Sequence, residues 1–402
     1  MRILFLTPQL PYPPQKGTAL RNWGLIQGLA ERHRVSLLSF RAPGRKTELA
    51  PPLTNACERI VTVPQPERSR FGRLYDMLAT RQPDMALRLA STAYDQHLRT
   101  WLHEETFDVV QIEGIELAPY LDTIEATAGD ALIVFDDHNC EYLLQQRTFL
   151  TDLYSPVRWP AAAYSYVQWH RLSRYEAKVC RRADEVLAVS EADAEALQGL
   201  VPNLTVTVVP NGIDTQAYEP TASGEGSLEN TLVFTGTMDF RPNVDAVLWF
   251  ARRVFPTIQS EVPDVRFVVV GQRPHQRLDP LRKDPAITLT GWVEDVRPYF
   301  DRATIYVAPL RMGGGTRLKL LEAMAMGTPI VATSLGAEGY PVESGHELIL
   351  ADTPETFAEA VISLLRTEER RAELRLTARA FVEEQYDWRA IIPRVEDVYE
   401  GE

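Results

Sequence analysis

The sequence is poor in cysteine and in basic charge. Its 402 residues include only three cysteines, Cys57, Cys140 and Cys180, which stand far apart and form no C-x-x-C spacing. Neither a disulfide framework nor a thiolate zinc site is therefore indicated. The chain carries 42 basic and 55 acidic residues, a formal charge of −13. This balance argues against a nucleic-acid-binding protein, because phosphate neutralisation needs a basic face.

Long apolar runs and several enzyme signatures are also missing. No apolar run approaches the roughly 20 residues that span a bilayer. The amino-terminal run Met-Arg-Ile-Leu-Phe-Leu-Thr-Pro is too short for the core of a signal peptide and predicts a first strand. These features favour a reduced, cytoplasmic location. The chain has no G-x-S-x-G, no Walker lysine loop and no G-x-G-x-x-G, so hydrolase, kinase-type and dinucleotide-binding interpretations lack their own motifs.

Short β-branched runs alternate with helical periods along the whole chain, which is typical of doubly wound α/β sheets. The length predicts two domains, and the polar stretch 221–227 has the composition of a linker or loose loop between them. Strands are predicted at residues 3–7, 35–40, 60–63, 107–112, 131–135, 186–189, 205–209, 231–235, 266–270, 286–289, 305–308 and 330–333.

Residues 313–331 form the most informative stretch, a glycine run that opens a helix predicted over 316–326. Glu322 lies among apolar neighbours on this helix, and a carboxylate in such surroundings needs a ligand or a partner group. Glycines let a ligand approach the backbone, and the N–H groups of a first helical turn favour an anion. The stretch predicts a site for a diphosphate and a sugar hydroxyl. The alternative is an ordinary surface pair between Lys319 and Glu322 after a glycine-rich turn.

The letters GGGTRLKLLEAMAMGTPIVAT resemble the donor-binding segment of glycosyltransferase family 4, retaining sugar transferases of the GT-B fold that use nucleotide-sugar donors. The resemblance implies an α/β protein with two doubly wound, Rossmann-like domains facing a central cleft. It assigns Glu322 to the donor ribose hydroxyls. The family segment usually carries an earlier glutamate as well, and Gly314 takes its place here. The sugar-contacting role of that glutamate is therefore unfilled.

Two segments of the amino-terminal half resemble the same family. Residues 13–17, Pro-Pro-Gln-Lys-Gly, look like its glycine loop facing the donor phosphates and acceptor, with a Pro-Gly turn as the alternative. His138 follows the predicted strand 131–135 and matches a family position that faces the transferred sugar, whereas a satisfied structural histidine is the alternative. The resemblance implies that domain closure brings Gly17 and His138 over the sugar.

The carboxyl-terminal half supplies the other resemblances. Residues 234–243 resemble the first strand and loop of the donor domain, but Thr237 and Arg241 replace the usual phosphate-binding Arg and Lys. Phosphate contact is then expected from Arg317 and Lys319, for which a solvated helix start is the alternative. Residues 291–295, Gly-Trp-Val-Glu-Asp, resemble the loop that holds the base, with Trp292 either stacking or packing. The predicted donor-binding residues are Glu322, Gly313, Gly314, Gly315, Thr316, Gly236, Thr237, Arg241, Trp292 and Val293, and the predicted catalytic residues are His138, Gly17, Arg317 and Lys319.

A metal site is not expected. Asp136, Asp137 and His138 raise the question, but no set of His, Cys and carboxylates stands at ligand spacing in the sequence. The fold that the chain resembles usually needs no metal. We therefore expect no required cofactor, and a UDP-, GDP- or ADP-sugar as the donor substrate.

Residues 158–182 hold six basic side chains against one acidic one, with Trp159, Tyr164, Tyr166 and Trp169 among them. Basic side chains with interfacial aromatics suit peripheral contact with an anionic membrane. The alternative is a long helix that packs its aromatic residues inside the domain.

Together these features predict a retaining glycosyltransferase that moves a sugar from a nucleotide sugar to a glycan, lipid-linked or small-molecule acceptor. Residues 1–210, with a returning segment at about 386–402, form the predicted acceptor-side domain, and 211–385 the donor domain. The alternatives are a GT-B sugar-nucleotide epimerase or hydrolase and, because of Gly314, a catalytically degenerate subunit that binds sugar nucleotides.

Overall fold

The structure, a computed structural model, describes residues 1–14, 17–42, 49–154, 156–220, 229–313 and 317–401. The chain divides into two units, Met1–Asn211 with Ile391–Glu402, and Gly212–Ala390. No helix in the described ranges combines the length and the apolar character that crossing a membrane requires.

The first unit is built on a parallel sheet that is covered on both faces. Successive residues of its first strand, Ile3, Leu4 and Phe5, are all fully buried, as expected when helices pack on both sides. The strands within the described ranges are β1 (Arg2–Thr7), β2 (Arg34–Arg41), β3 (Arg59–Pro64), β4 (Val109–Glu113), β5 (Leu132–Asp137), β6 (Glu185–Ala188) and β7 (Thr207–Val208). They lie in the order β3-β2-β1-β4-β5-β6-β7. The order reverses between β1 and β4, whose carboxyl ends therefore frame a ligand-binding crevice.

The second unit has a parallel sheet of the same kind. Phe234 and Val233, adjacent on one strand, belong to separate apolar clusters, so both faces of this sheet are covered. Its strands within the described ranges are β8 (Thr231–Thr235), β9 (Arg266–Val270), β10 (Ile287–Leu289), β11 (Ile305–Ala308), β12 (Ile330–Ala332) and β13 (Ile349–Leu350). The order is β10-β9-β8-β11-β12-β13, which reverses between β8 and β11.

Helices connect the strands in both units, as parallel pairing requires. The α-helices in the described ranges are α1 (Gly17–Leu29), α2 (Pro51–Ala56), α3 (Arg70–Ala79), α4 (Asp84–Arg88), α5 (Thr92–Glu104), α6 (Leu121–Thr127), α7 (Glu141–Leu153), α8 (Trp159–Cys180), α9 (Glu191–Leu200), α10 (Arg241–Trp249), α11 (Phe255–Glu261), α12 (Arg297–Arg302), α13 (Leu318–Ala325), α14 (Pro354–Arg366), α15 (Glu368–Gln385) and α16 (Trp388–Glu400). Short 3₁₀ segments occur at Ile115–Tyr120, Pro156–Arg158 and Gln276–Lys283, and a π-turn at Phe250–Val254.

The predicted strands are confirmed with small shifts at their ends, and two boundaries are corrected. The strand predicted to end at residue 135 continues through Asp137, because Asp136 pairs with Glu113 of β4 and Asp137 with β6. The helix predicted over 316–326 spans Leu318–Ala325, and Thr316 lies outside the described residues. β13 was not predicted, since two residues are too short to show a period.

Helix α16 starts in the second unit and, from Ile391 onward, packs in the first. A Cβ on Gly28 of α1 would lie 2.4 Å from Cγ1 of Ile392, so only glycine leaves room for this side chain. Farther along α16, Glu396 is 2.7 Å from His33 Nε2, and the Tyr399 hydroxyl donates to the Gln111 side chain. The segment beyond residue 390 is thus an integral part of the first unit.

Buried acidic side chains meet beneath the carboxyl edge of β5. The two oxygens of Glu176 accept the backbone N–H groups of Glu141 and Tyr142 at 2.7 and 2.9 Å, which satisfies the start of α7. Asp137 Oδ2, in contrast, has no hydrogen-bond partner in the described part of the chain. Burial and the nearby Glu176 raise the pKa of Asp137 well above its ordinary value, and burial raises the pKa of Glu176 to about 8. The first unit therefore keeps an acidic proton in its interior at neutral pH.

The substitution Asp137→Asn is expected to stabilise the protein more at pH 8 than at pH 5. The folded-state pKa of Asp137 is raised, so its contribution to stability is complete below the unfolded-state pKa and is lost as pH rises towards the folded-state value. The asparagine variant escapes this loss, which is about 1.4 kcal/mol per pH unit in that window. Urea unfolding of both proteins at the two pH values measures the difference.

The matched control for this experiment is Asp130→Asn, which changes an exposed aspartate in the turn before β5. Its effect should be small and should not depend on pH. A stability difference for Asp137→Asn that is the same at pH 5 and pH 8 would contradict a raised pKa at this position.

Candidate functional site

A hydrogen-bonded network surrounds His138 at the carboxyl ends of β4 and β5. His138 Nε2 lies 2.6 Å from Oε2 of Glu113, which is fully buried. With its amide nitrogen turned towards Glu113, Asn22 of α1 donates to the same oxygen at 2.7 Å, and Gln111 donates to the other oxygen at 2.6 Å. Burial lowers the pKa of His138, but its hydrogen bond to Glu113 and the charge of that group outweigh burial, and the net pKa is raised. The imidazole is held in one orientation and favours its charged form.

Arg21 of α1 brings a buried positive charge to the same place. Its guanidinium donates to the two oxygens of Asp136 at 2.9 and 3.0 Å, and to the carbonyls of Val209 and Pro210 at 2.9 and 3.1 Å. Burial raises the pKa of Asp136 to about 6, although Arg21 opposes the change. The bidentate geometry fixes the end of β5 against α1.

A cavity of about 220 Å³ opens beside His138 within the first unit. Thr18 lines it together with His138, so the start of α1 borders the same space as the imidazole, whereas Gly17, the residue before Thr18, is not among the lining residues. Glu141, another lining residue, has its pKa raised to about 7 by burial. The remaining lining residues are Pro8, Gln9, Gln65, Arg88, Leu89, Gly114, Ile115, Glu116, Asp137 and Asn139. This predominantly polar lining suits a ligand rich in hydroxyl groups.

Two groups of potential metal ligands come together in the first unit, although none stands at ligand spacing in the sequence. They are Glu113, Asp136 and His138, and Asp137, Cys140 and Glu176, with ligand atoms within 4.8 Å in each group. The sequence does not show them because their members come from different strands and helices. In the first group Arg21 already occupies both oxygens of Asp136. These contacts fit a hydrogen-bond network better than a metal centre, and the absence of a metal requirement stays a prediction.

In the second unit, Lys319 of α13 points to the carboxyl end of β8. Its Nζ is 5.8 Å from the centre of the Phe234 ring, and a Cβ on Gly236 would lie 2.4 Å from it. Glycine at position 236 is therefore what admits the lysine. Among the described residues, none accepts a hydrogen bond from Lys319 or forms an ion pair with it. An ammonium group in this state is suited to an incoming anion.

Glu322 lies one turn further along α13. Its Oε1 accepts a hydrogen bond from the Tyr218 hydroxyl at 3.2 Å. Burial raises the pKa of Glu322, although Lys319 and the Tyr218 hydroxyl oppose this change. Burial lowers the pKa of Lys319 to about 8. The charge of Arg317 adds to this decrease, and the charge of Glu322 opposes it. The alternative of an ordinary surface pair is wrong, since both side chains are half-buried and the described structure holds no ion pair between them.

The loops after β8 and before α13 meet at the point where the strand order of the second sheet reverses. The Cβ position of Gly313, which has φ +108°, is 3.4 Å from Arg317 Nη2 and 3.4 Å from Pro242 Cγ. The loop after β8 is fixed by the Asn243 amide, which donates to the Thr237 carbonyl at 2.9 Å. The structure thus brings Gly236, Thr237, Arg241, Gly313, Arg317, Lys319 and Glu322 to one region of the second unit. Gly314, Gly315 and Thr316 lie outside the described residues.

The loop after β10 presents Trp292 and Val293 in different ways. Gly291 bridges to Gly271 at the end of β9, which ties the loop to the sheet. Trp292 is 71% exposed, so the alternative of a packing role is wrong for this residue. Val293 is partly buried and packs against the apolar cluster instead. An exposed indole on a tethered loop is available for stacking.

Sequence reasoning missed the residues that hold the predicted ones in place. Arg21 and Asn22 left one signal, two adjacent polar residues within an apolar helix. Glu113 also left a signal, because it is a carboxylate at the end of a strand, as Asp137 is. Tyr218 left none, because it lies 104 positions before Glu322 in the chain.

Family models match both units of the chain. The model described as Glycosyltransferase Family 4 matches residues 16–217, half of the chain, and the model described as Glycosyl transferases group 1 matches residues 229–367. These matches do not favour the epimerase, hydrolase or binding-subunit alternatives.

Two relatives show the range of similarity. The chain is 24% identical over 172 residues to an uncharacterized 44.6 kDa protein in the cps region of Klebsiella pneumoniae, covering 41% of this chain and 44% of that protein. The match thus spans less than half of the Klebsiella protein. The chain is also 26% identical over 316 residues to the phosphatidyl-myo-inositol mannosyltransferase of Mycolicibacterium smegmatis, covering 77% and 75% of the two chains.

A solved structure extends the similarity to the whole fold. Anabaena Alr3699/HepE in complex with UDP is similar over 100% of both chains, with a TM-score of 0.69 and 15% identity. This likeness shows the shared architecture, and the family models add the class of enzyme. The chain therefore belongs to glycosyltransferase family 4 and has the GT-B fold.

Proposed function

We propose that this glycosyltransferase binds a UDP-, GDP- or ADP-sugar in its second unit and transfers the sugar, with retention of configuration, to a hydroxyl of a lipid-linked acceptor. The observation that carries the donor assignment is the half-buried Lys319 ammonium, which has no partner among the described residues and lies one turn from Glu322. The UDP in the Anabaena structure supports uridine as one candidate base. The Mycolicibacterium relative, named for a phosphatidyl-myo-inositol acceptor, supports the lipid.

The donor-side chemistry follows from charge. During transfer the bond from sugar C1 to the diphosphate oxygen breaks, C1 bonds to the acceptor oxygen, and the proton of the acceptor hydroxyl passes to the leaving diphosphate. Negative charge grows on the diphosphate, where Lys319 and Arg317 stabilise it. Glu322, oriented by Tyr218, accepts hydrogen bonds from the ribose hydroxyls. Further proposed contacts to the donor are Gly236, Thr237, Arg241, Gly313, Gly314, Gly315 and Thr316 for the phosphates and Trp292 and Val293 for the base.

On the acceptor side we assign His138 to the transferred sugar, with Gly17 beside it. Glu113 engages Nε2, so Nδ1 is the atom left for a ligand. In its protonated form the imidazole, held in a fixed orientation, donates a hydrogen bond from Nδ1 to a sugar hydroxyl.

A cytoplasmic location with peripheral contact to an anionic membrane through residues 158–182 is part of the proposal. Three free, buried cysteines are in keeping with a reducing compartment. Trp159, Tyr164 and Tyr166 of α8 are exposed, which argues against the alternative in which these aromatics pack inside the domain. Trp169 is half-buried and stacks on His170.

The first expected outcome concerns metals. A nucleotide sugar should raise the melting temperature in the presence of a chelator, because the proposed anion site consists of basic side chains and a helix start. A ligand at 100 times its dissociation constant adds about 2.7 kcal/mol to the folded state. Thermal unfolding with EDTA, and with Mg²⁺ or Mn²⁺, is the measurement. Stabilisation that requires added metal would count against this site.

The second expected outcome concerns Glu322. Glu322→Gln should weaken nucleotide binding by about 1.5 to 3 kcal/mol, since hydrogen bonds to a charged acceptor lie in that range. The unfolding midpoint should stay the same or rise, because a half-buried charge is removed. Calorimetric titration and urea unfolding measure the two effects. Glu359→Gln, an exposed change on α14 of the same unit, is the control. Unchanged affinity with lower stability would show that Glu322 is scaffold.

The third expected outcome is a pH dependence. The pKa of Lys319 is lowered to about 8, so the free protein loses this proton as pH rises through 8, while a bound diphosphate raises the pKa again. Affinity for a nucleotide sugar should therefore be level below pH 7 and fall up to about tenfold per pH unit above 8. Lys319→Gln should bind more weakly at every pH and lack this fall. Titrations from pH 6.5 to 9 decide it, and identical profiles would remove Lys319 from the phosphate site.

A further inference from the structure

The first unit has an exposed apolar surface around α3, α7 and α8. Of the thirteen large apolar side chains that are exposed among the described residues, ten lie between residues 71 and 167. Tyr154, Val157 and Phe71 are 92, 91 and 83% exposed. The helices adjoin one another, since the Phe149 ring of α7 lies 5.3 Å from the Tyr166 ring of α8, and Arg171 of α8 donates to the Met77 carbonyl of α3. An apolar surface of this extent indicates an interaction site.

A cavity of about 620 Å³ next to this surface is lined by four basic side chains and no acidic one. We name it the basic cavity, after Arg81, Arg171, Arg174 and Lys178. Arg171 is fixed in place by donating to the carbonyls of Gln82 and Met77, at 3.2 and 2.7 Å. In a chain with a formal charge of −13, such a concentration of cations requires an explanation.

The cations of the basic cavity have no ion-pair partner among the described residues, although Lys178 is near enough to Glu125 to help Arg182 lower the pKa of that carboxyl. Arg81, Arg174 and Lys178 form no ion pair within the described ranges. The acidic residues of the neighbouring helix α6, Asp122 and Glu125, are engaged by Arg182 at 2.6 and 2.7 Å. Three exposed cations around one concave surface suit a phosphate group.

The basic cavity adjoins a second one of about 330 Å³, which shares Arg171 and Gln82 with it. Met77, Leu87 and Tyr164 supply the apolar part of its lining, and its two carboxylates, Asp76 and Asp84, are paired with Arg68 and Arg73. Along α8, Tyr164, Arg171 and Lys178 are spaced by seven residues and so lie on one side of the helix. One side of α8 therefore carries an aromatic side chain followed by two basic ones.

We propose that the basic cavity binds the phosphate of an anionic phospholipid, while the exposed apolar side chains of α3, α7 and α8 enter the adjoining interface. Phosphate beside an apolar region is the chemistry that a phospholipid headgroup presents, and interfacial helices combine basic and aromatic side chains in this way. The inference rests on the membrane contact within the proposed function and assigns it to a defined site.

Flotation with vesicles tests the site. The full chain should bind vesicles of phosphatidylcholine with phosphatidylglycerol, more weakly as salt rises, and should not bind phosphatidylcholine alone. The double variant Arg174→Gln/Lys178→Gln should bind roughly thirtyfold more weakly, because each basic residue near an anionic surface contributes about a fivefold step in affinity. Arg252→Gln/Arg253→Gln changes two exposed, unpaired arginines of the second unit and is the control with equal charge.

The outcomes separate this inference from donor binding. Nucleotide titration of the same samples should give equal affinity for all three proteins, so nucleotide binding without vesicle binding would overturn only the membrane site. Equal vesicle binding by the two double variants would overturn the basic cavity. Binding of glycerol 3-phosphate by the full chain, together with no binding to the phosphatidylglycerol vesicles, would show that the cavity takes a free phosphate compound and would also overturn the proposal.

Discussion

The buried ion pair between Arg21 and Asp136 is the interaction on which the site of the first unit depends. Both side chains are removed from water, and breaking such a pair by removing one partner costs about 3 to 5 kcal/mol, because a buried charge is left behind. The pair joins α1 to the end of β5. His138 follows Asp136 by two residues, and Glu113 faces it from β4. The position of the imidazole therefore depends on the contact between Arg21 and Asp136.

In the second unit, by contrast, a desolvated charge has no ion-pair partner among the described residues. Lys319 is desolvated beside the Phe234 ring, and the described residues offer its ammonium no acceptor. Its lowered pKa expresses the free-energy cost of that position. A bound diphosphate would remove this desolvation cost at Lys319. The relief of that cost would then contribute to the affinity for the ligand. Gly236 makes this arrangement possible, since any side chain there would displace the lysine.

The sequence predicted what local patterns determine. Strands rich in β-branched residues were found because their composition is itself the signal, and Glu322 was found because it is a single carboxylate in an apolar helix. Contacts between distant residues could not be found in this way. Tyr218 contacts Glu322 only once the sheet has formed. Nothing in the sequence around Arg21 indicates that Asp136 is its partner. β13 was missed because its length is set by pairing with β12, not by its own sequence.

The return of α16 to the first unit bears on how the chain is made. A ribosome delivers residues in order, and the second unit, continuous from Gly212 to Ala390, emerges complete before the residues that fill the groove at Gly28. Until Ile392, Glu396 and Tyr399 arrive, the first unit exposes the surface that they cover. The first unit therefore cannot complete its packing until these residues of α16 have been made. The packing of the first unit thus depends on the residues that are made last. These residues belong to α16, a helix with residues in both units.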